Sequence, residues 1–321
     1  MKSLSSFIIR NKTQLGITLI FIFLLMIFVT FNPRAFTSWR TYSALMEVIP
    51  FTIILALPLT LLVINREMDL SFASIMTLGA YSFTIILLQT GNELLAFLAS
   101  IIVGSLAGLL NGVLVTKFKI PSLILTLGTN IFWDGTVLVL TQGTSISLVE
   151  YRNSTITILL VGKFFGVPIQ VVWSLLFAVI FYFILNRHRF GAAIYYIGDN
   201  PDAALMAGYS LVRIKIILFT LMGAFSSLVG LMSALYLLCF YPTTGEGELL
   251  KVIATVFVGG NVIQGGIGTI YGSVIAAFLL GFLTTGVLAI GFSGYHTTLI
   301  YGLIIVLALV FYSHITYREG R

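Results

Sequence analysis

Ten apolar stretches, near 15–31, 47–64, 70–89, 94–116, 121–141, 168–186, 213–239, 250–263, 268–290 and 296–313, follow one another along the chain with only short polar intervals. Most approach the ~20 residues a helix needs to cross the hydrocarbon of a bilayer. In that medium the backbone has no water to bond to and must close its hydrogen bonds internally. The expected fold class is therefore all-α, a polytopic membrane protein of about ten transmembrane helices forming a single domain over residues 1–321. The stretch from 250 to 263 is too short to cross simply and predicts a broken or half-length helix near 250–268. Charged residues are only 9% of the chain, against ~25% in soluble domains, so no soluble alternative of this size is available.

The charges that remain are informative by position. A net charge of +6 would suggest nucleic acid for a soluble protein, but in a membrane chain it marks the loops retained on the cytosolic side. With the N-terminus inside, cytosolic segments collect Lys2, Arg10, Lys12, Arg66, Lys117, Lys119, Arg187, Arg189, Arg213, Lys215, Arg318 and Arg321. External ones collect Arg34, Arg40, Arg152, Lys163 and Lys251. The split of twelve against five supports ten crossings with both termini cytosolic. The first stretch is long, Phe-rich and lacks a small-x-small site after it, so it reads as a retained span and not as a signal peptide.

The longest segment unsuited to hydrocarbon is 187–215. Within it Asn200 suits an N-cap, Pro201 the first helical position, Asp202 the positive helix start and Gly208 the stop. These residues predict a short helix over roughly 201–207. Ala203, Ala204 and Ala207 would give it a smooth face and Leu205 and Met206 apolar knobs of the kind a groove accepts. An ordinary capped turn between two spans has the same residue types.

Polar groups inside the spans concentrate in the fifth, where Thr126, Thr129, Asn130, Trp133 and Asp134 cluster and Thr126, Asn130 and Trp133 share one helical face. Such groups are costly in a membrane and point at protein or at a water-filled path, so this span is the candidate lining of a solute pathway; interhelical hydrogen bonding is the plainer alternative. Asp69 and Ser71 suit N-caps for the third span. The cluster Gly259, Gly260, Gly265, Gly266 and Gly268 lacks the Gly-Lys-Ser/Thr ending of a phosphate loop, and instead permits a broken helix with close backbone approach. The external loop 142–167 is placed to receive a binding protein.

Catalytic chemistry is poorly provided for. His188, His296 and His314 are the three histidines, Cys239 the single cysteine, and no metal-ligand spacing or nucleophile motif occurs. No catalytic residue, metal site or bound cofactor is expected.

Five motifs, in order, resemble the permease subunits of ribose-type ABC importers, the family that also carries other simple sugars and autoinducer-2. They are Phe31 to Thr37; Asp69-Leu70-Ser71 before small residues; Pro121-Ser122-x-Ile124-x-Thr126-Leu127-Gly128; Arg189-Phe190-Gly191 with Tyr195, Ile197, Gly198, Asn200, Ala203, Ala204 and Gly208; and Gly247-Glu248-Leu249 through the glycine cluster. Two departures stand at Ala192 and Leu205, where the family carries basic residues, and a frequent serine is Val262 here. The resemblance implies that 187–215 is a cytosolic coupling loop whose short helix, with Gly198, Asn200, Pro201, Asp202, Ala203, Ala204, Met206 and Gly208, meets an ATPase. It also implies ABC ATPase subunits, often two nucleotide-binding domains fused in one chain, that hold the ATP and Mg; a periplasmic or lipid-anchored substrate-binding protein; and a second permease copy or paralogue, all at the bacterial inner membrane. Nucleosides or a vitamin such as riboflavin are related cargoes. An ion-coupled secondary transporter or channel would need carboxylates such as Glu47 and Asp134 inside the membrane.

Overall fold

The computed structural model describes residues 12–318; Lys2, Arg10 and Arg321 of the charge count lie outside them. A helix stands over each of the ten apolar stretches: α1 (Lys12–Phe31), α3 (Trp39–Ile64), α4 (Phe72–Thr90), α5 (Glu93–Phe118), α6 (Ser122–Thr141), α8 (Ile169–Arg187), α11 (Leu211–Leu237), α12 (Glu248–Val258), α13 (Ile270–Ala289) and α14 (Gly294–Arg318). Shorter helices are α2 (Pro33–Phe36), α7 (Thr155–Val161), α9 (Arg189–Asp199) and α10 (Pro201–Met206). Among the described residues eight helices are long and apolar enough to cross a membrane, and α14 adds an apolar segment over 294–307. The chain is a multi-pass, all-α membrane protein. Among the described residues strand is confined to β1 (Ile146–Ser147), which pairs antiparallel with β4 (Cys239–Phe240), and to the β2 (Lys163–Phe164) and β3 (Val167–Pro168) hairpin.

Helix α3 is the axis. Every residue from Ile49 to Ile64 is buried, although Pro50 and Pro58 interrupt its hydrogen bonds, because α8, α11, α12 and α13 pack around it. In lipid, burying one aliphatic side chain against another gains little over leaving it among acyl chains, so packing quality and small residues decide which helices associate. Gly104, Gly108 and Gly112 recur every four residues along α5 and face α11: a Cβ on Gly108 would lie 2.1 Å from the Phe219 carbonyl oxygen. Ser100 adds hydrogen bonds at the same seam, its hydroxyl donating to the Gly79 carbonyl of α4 at 2.8 Å while Ser227 of α11 donates to the Ser100 carbonyl at 2.6 Å. α4, α5 and α11 form one close-packed trio.

The short eighth stretch is a half-length helix. Glu248 begins α12 beside Thr52, whose hydroxyl donates to it at 3.4 Å. Thr52 lies twelve residues before Ile64 on α3, about 18 Å at 1.5 Å per residue, so α12 starts well inside the bundle. The preceding residues descend to that depth without helix: the Gly245 N–H donates to Thr77 Oγ1 at 3.0 Å, and a Cβ there would meet the Ala73 carbonyl at 1.9 Å. Non-helical backbone is tolerated at such depth only when protein satisfies it, as it does here. Lys251, expected in an external segment, instead lies on α12 and pairs with Glu248 at 2.6 Å, because a half-length helix carries it into the bundle.

Candidate functional site

Asn200 separates two helices, the expected short one (α10) and a second, α9, that residue types do not predict. It closes α9, and its Oδ1 accepts the N–H groups of Asp202 (3.1 Å) and Ala203 (3.0 Å), capping α10. Pro201 occupies the first helical position, where its missing N–H leaves nothing unsatisfied. At the other end Gly208 has φ +86°, the Tyr209 N–H reaches back to the Ala204 carbonyl and the Gly208 N–H to the Leu205 carbonyl, both at 3.0 Å. This is the Schellman arrangement, which ends the helix after six residues.

Ala203, Ala204 and Ala207, the smooth face expected, together line one groove along α10. Ala204 is buried, whereas Met206 is 91% and Leu205 60% exposed. Asp202 and Ala203 are exposed, and Tyr196 stacks on Tyr209 with centroids 5.6 Å apart beside a groove of about 410 Å³ along α10.

Beneath α10, three segments meet at one face of the bundle: the end of α3, the end of α9, and the glycine turn between α12 and α13. Gly198 packs so tightly that a Cβ would lie 1.8 Å from the Ile64 carbonyl oxygen and 2.6 Å from the Gly266 nitrogen. The Gly266 N–H donates to the same Ile64 carbonyl at 2.8 Å. Gly260, Gly265 and Gly266 all have positive φ, at +84°, +82° and +73°, conformations in which a side chain is strained. Gly259 instead lies against the backbone of Gly272 and Ser273. The glycine cluster thus ends α12 and turns the chain into α13, the close backbone approach expected of it.

Neighbouring side chains fix this turn. Tyr195 donates its hydroxyl to the Gly268 carbonyl at 2.7 Å, and burial pushes its phenol up to about 12, so it stays a donor. Asn261 bridges the turn from inside, accepting from Thr269 N–H at 2.9 Å and donating to Val256 O at 2.6 Å and Ser273 Oγ at 2.9 Å. From the α3 side Asn65 donates to the Ile194 carbonyl at 3.3 Å, and Arg66 donates Nε to Gly198 O and Nη2 to Asp199 O, each at 2.6 Å. Sequence reading counted Arg66 only as a loop charge. Its φ of +62°, uncommon for a residue with a side chain, cannot be read from residue type.

Asp69 and Ser71 do not cap a helix with their side chains. Asp69 Oδ1 accepts both the Ser71 N–H (2.8 Å) and the Ser71 hydroxyl (2.6 Å), and Asn111 of α5 donates to Ser71 Oγ at 2.7 Å. All three are buried, and Asp69 Oδ2 and Asn111 Oδ1 have no hydrogen-bond partner among the described residues. The carboxyl lies in the connection between α3 and α4, where burial pushes it up to about 6 against the opposing pull of the Ser71 and Asn111 hydrogen bonds. Glu67 in the same connection is ion-paired with Lys215 of α11.

The polar face of α6 divides in two. Thr126 is fully buried and its hydroxyl accepts the Leu70 N–H (2.9 Å) while donating to the Ser122 carbonyl (2.8 Å), so it docks α6 onto the α3–α4 connection and has no free face for a solute. Thr129 bonds weakly back to Thr126 O at 3.4 Å. Asn130 and Trp133, one and two turns further on, are half-buried; among the described residues Asn130 Oδ1 and Trp133 Nε1 have no hydrogen-bond partner, and Asn130 Nδ2 donates to Asp134 at 3.3 Å. Of the two carboxylates an ion-coupled carrier would use, Glu47 is taken up by Lys163 at 2.6 Å and the Tyr236 hydroxyl at 2.9 Å. Among the described residues no three His, Cys, Asp or Glu side chains gather as metal ligands.

The sequence profile of the family described as branched-chain amino acid transport system / permease component matches residues 41–309. The chain is 31% identical over 284 residues, 88% of each chain, to the ribose import permease protein RbsC of Escherichia coli (strain K12). It is 28% identical over 298 residues to the L-arabinose ABC transporter permease protein AraH of Azospirillum brasilense, covering 92% of this chain and 86% of that one. It is 29% identical over 304 residues to the autoinducer 2 import system permease protein LsrC of Yersinia pseudotuberculosis serotype O:3 (strain YPIII), covering 94% and 85%. No solved structure matches.

Proposed function

Because this chain belongs to the family of the branched-chain amino acid transport system permease component, we propose that it is the membrane permease of a bacterial ABC importer carrying a simple sugar or sugar-like molecule. The family's description names amino acids, but ribose, L-arabinose and autoinducer 2 are the cargoes in the names of the relatives that align along most of the chain. In this reading the chain transports and does not catalyse. ATP and Mg are held by ABC ATPase subunits, a periplasmic or lipid-anchored binding protein delivers the solute, and a second permease copy or paralogue completes the pathway.

The observation that carries the reading is α10. A six-residue helix closed by Asn200 at one end and Gly208 at the other presents Leu205 and Met206 outward, while Gly198, at the end of the preceding helix, is locked against α3 and the glycine turn. Exposed apolar side chains on a rigid polar connection fit a groove in a partner. Placing this face in the cytosol, with both termini, agrees with the concentration of basic residues in its connections. On α6, most of the apolar surface is uncovered and the unpartnered Asn130 and Trp133 groups lie on the same helix, which suits a pathway shared with the second permease.

The test is uptake into proteoliposomes that contain the chain with its ATPase and binding protein. Labelled ribose, arabinose and autoinducer-2 are offered with and without ATP. ATP-dependent accumulation of one of them is expected; accumulation driven by an ion gradient without ATP would overturn the reading.

A further inference from the structure

Arg66 holds two carbonyls that nothing else in α9 can satisfy. Gly198 and Asp199 are the last residues of that helix, so their carbonyls have no partner further along it and carry the negative end of its dipole. A guanidinium meets both with a rigid fork and brings a positive charge to them. Asn200, next in the chain, caps α10, so the fork grips the joint on the α9 side of α10.

On the other side Arg66 is two residues from Ile64, whose carbonyl accepts from Gly266 and lies against Gly198. A Cβ on Gly265 would strike Arg66 Cγ at 2.3 Å, so the turn from α12 to α13 rests directly on the arginine stem. That turn is linked to α3 a second time, since Asn261 bonds Ser273 at 2.9 Å and Ser273 bonds Thr60 at 2.6 Å. With φ at +62°, residue 66 sits where glycine would be more at ease, yet an arginine is found there.

We propose that Arg66 is a positioning residue that makes α9, the end of α3 and the 259–268 turn move as one body, so that displacement of α10 reaches the half-length helix α12. This rests on the importer reading, because it takes α10 as the element an ATPase moves. Coupling through a joint of this kind is a free energy shared between two sites, and it is lost when the joint is cut even though each site stays intact.

The test uses the chain purified with its ATPase, and compares amide hydrogen exchange with and without a non-hydrolysable ATP analogue. Arg66→Gly suits the positive φ and so preserves the backbone while removing the fork; Arg66→Lys retains the charge but replaces two nitrogens by one. In wild type, nucleotide should change exchange in both 202–208 and 259–268. In Arg66→Gly the response at 202–208 should persist while that at 259–268 falls about fivefold or more and solute moved per ATP falls about tenfold, with Arg66→Lys intermediate. A 259–268 response equal to wild type in Arg66→Gly would overturn the proposal, and so would loss of the ATPase from both variants, which would make Arg66 a mere support of the docking surface. A wild-type complex whose 202–208 segment ignores nucleotide would instead overturn the importer reading and this proposal with it.

Discussion

Gly198 and Ile64 approach so closely that no side-chain atom fits between them: a Cβ on the glycine would lie 1.8 Å from the isoleucine carbonyl oxygen. One belongs to the loop that carries α10 and the other ends the most deeply buried helix of the bundle. Gly198→Ala must therefore push α9 off α3. Backbone cannot yield as a flexible side chain would, so a cost of about 1–3 kcal/mol is expected, read as a lower melting temperature in detergent and a fall in solute moved per ATP. A melting temperature unchanged from wild type would contradict the contact.

Asn200→Ala removes the acceptor for two α10 N–H groups and should destabilise that helix by about 1 kcal/mol. Faster amide exchange at Asp202 and Ala203, with no change at α11, is the expected signature. Asn200→Asp keeps the acceptor and should restore protection.

The seam between α5 and α11 is tested at Gly108, where a methyl group would meet the Phe219 carbonyl at 2.1 Å. Gly108→Ala should loosen the trio of α4, α5 and α11 and lower the melting temperature. Gly128→Ala, which has nothing within 4 Å, is the control and should melt like wild type.

Asp69 gives the chain a pH signature. Its ordinary value of 3.8 is raised to about 6 by burial, so the folded state prefers the protonated carboxyl. The stability this contributes is complete below 3.8 and is lost as pH rises through about 6; the displacement corresponds to about 3 kcal/mol. Asp69→Asn keeps an acceptor for Ser71, places an N–H₂ in the carboxyl's position and does not ionise. Its melting temperature should gain on wild type as pH rises from 4 to 7, whereas parallel profiles would contradict the assignment.

Much of this was legible from residue types. The apolar stretches located ten helices because length and hydrophobicity suffice where backbone must satisfy itself. Asn200-Pro201 and Gly208 fixed the ends of α10, since caps are local chemistry. What escaped were relations between segments distant in the chain. Arg66 could be counted as a charge, but its positive φ and its two carbonyl partners, 132 and 133 residues away, leave no local trace. Thr126 shares a helical face with Asn130 and Trp133, yet the α3–α4 connection claims its hydroxyl, which periodicity cannot reveal. The Gly104, Gly108 and Gly112 spacing, by contrast, was readable as a helix-packing face and passed unread.

If α10 is the handle by which an ATPase drives this permease, its most exposed side chain should decide whether the ATPase stays bound. Affinity-tagged wild type and Met206→Asp, altered at a side chain that is 91% exposed, are purified gently from native membranes and the retained proteins identified by mass spectrometry. An ABC ATPase subunit is expected with the wild type and lost from Met206→Asp, at equal yield and equal melting temperature of the permease. An ATPase retained equally by both, or by neither, would contradict it.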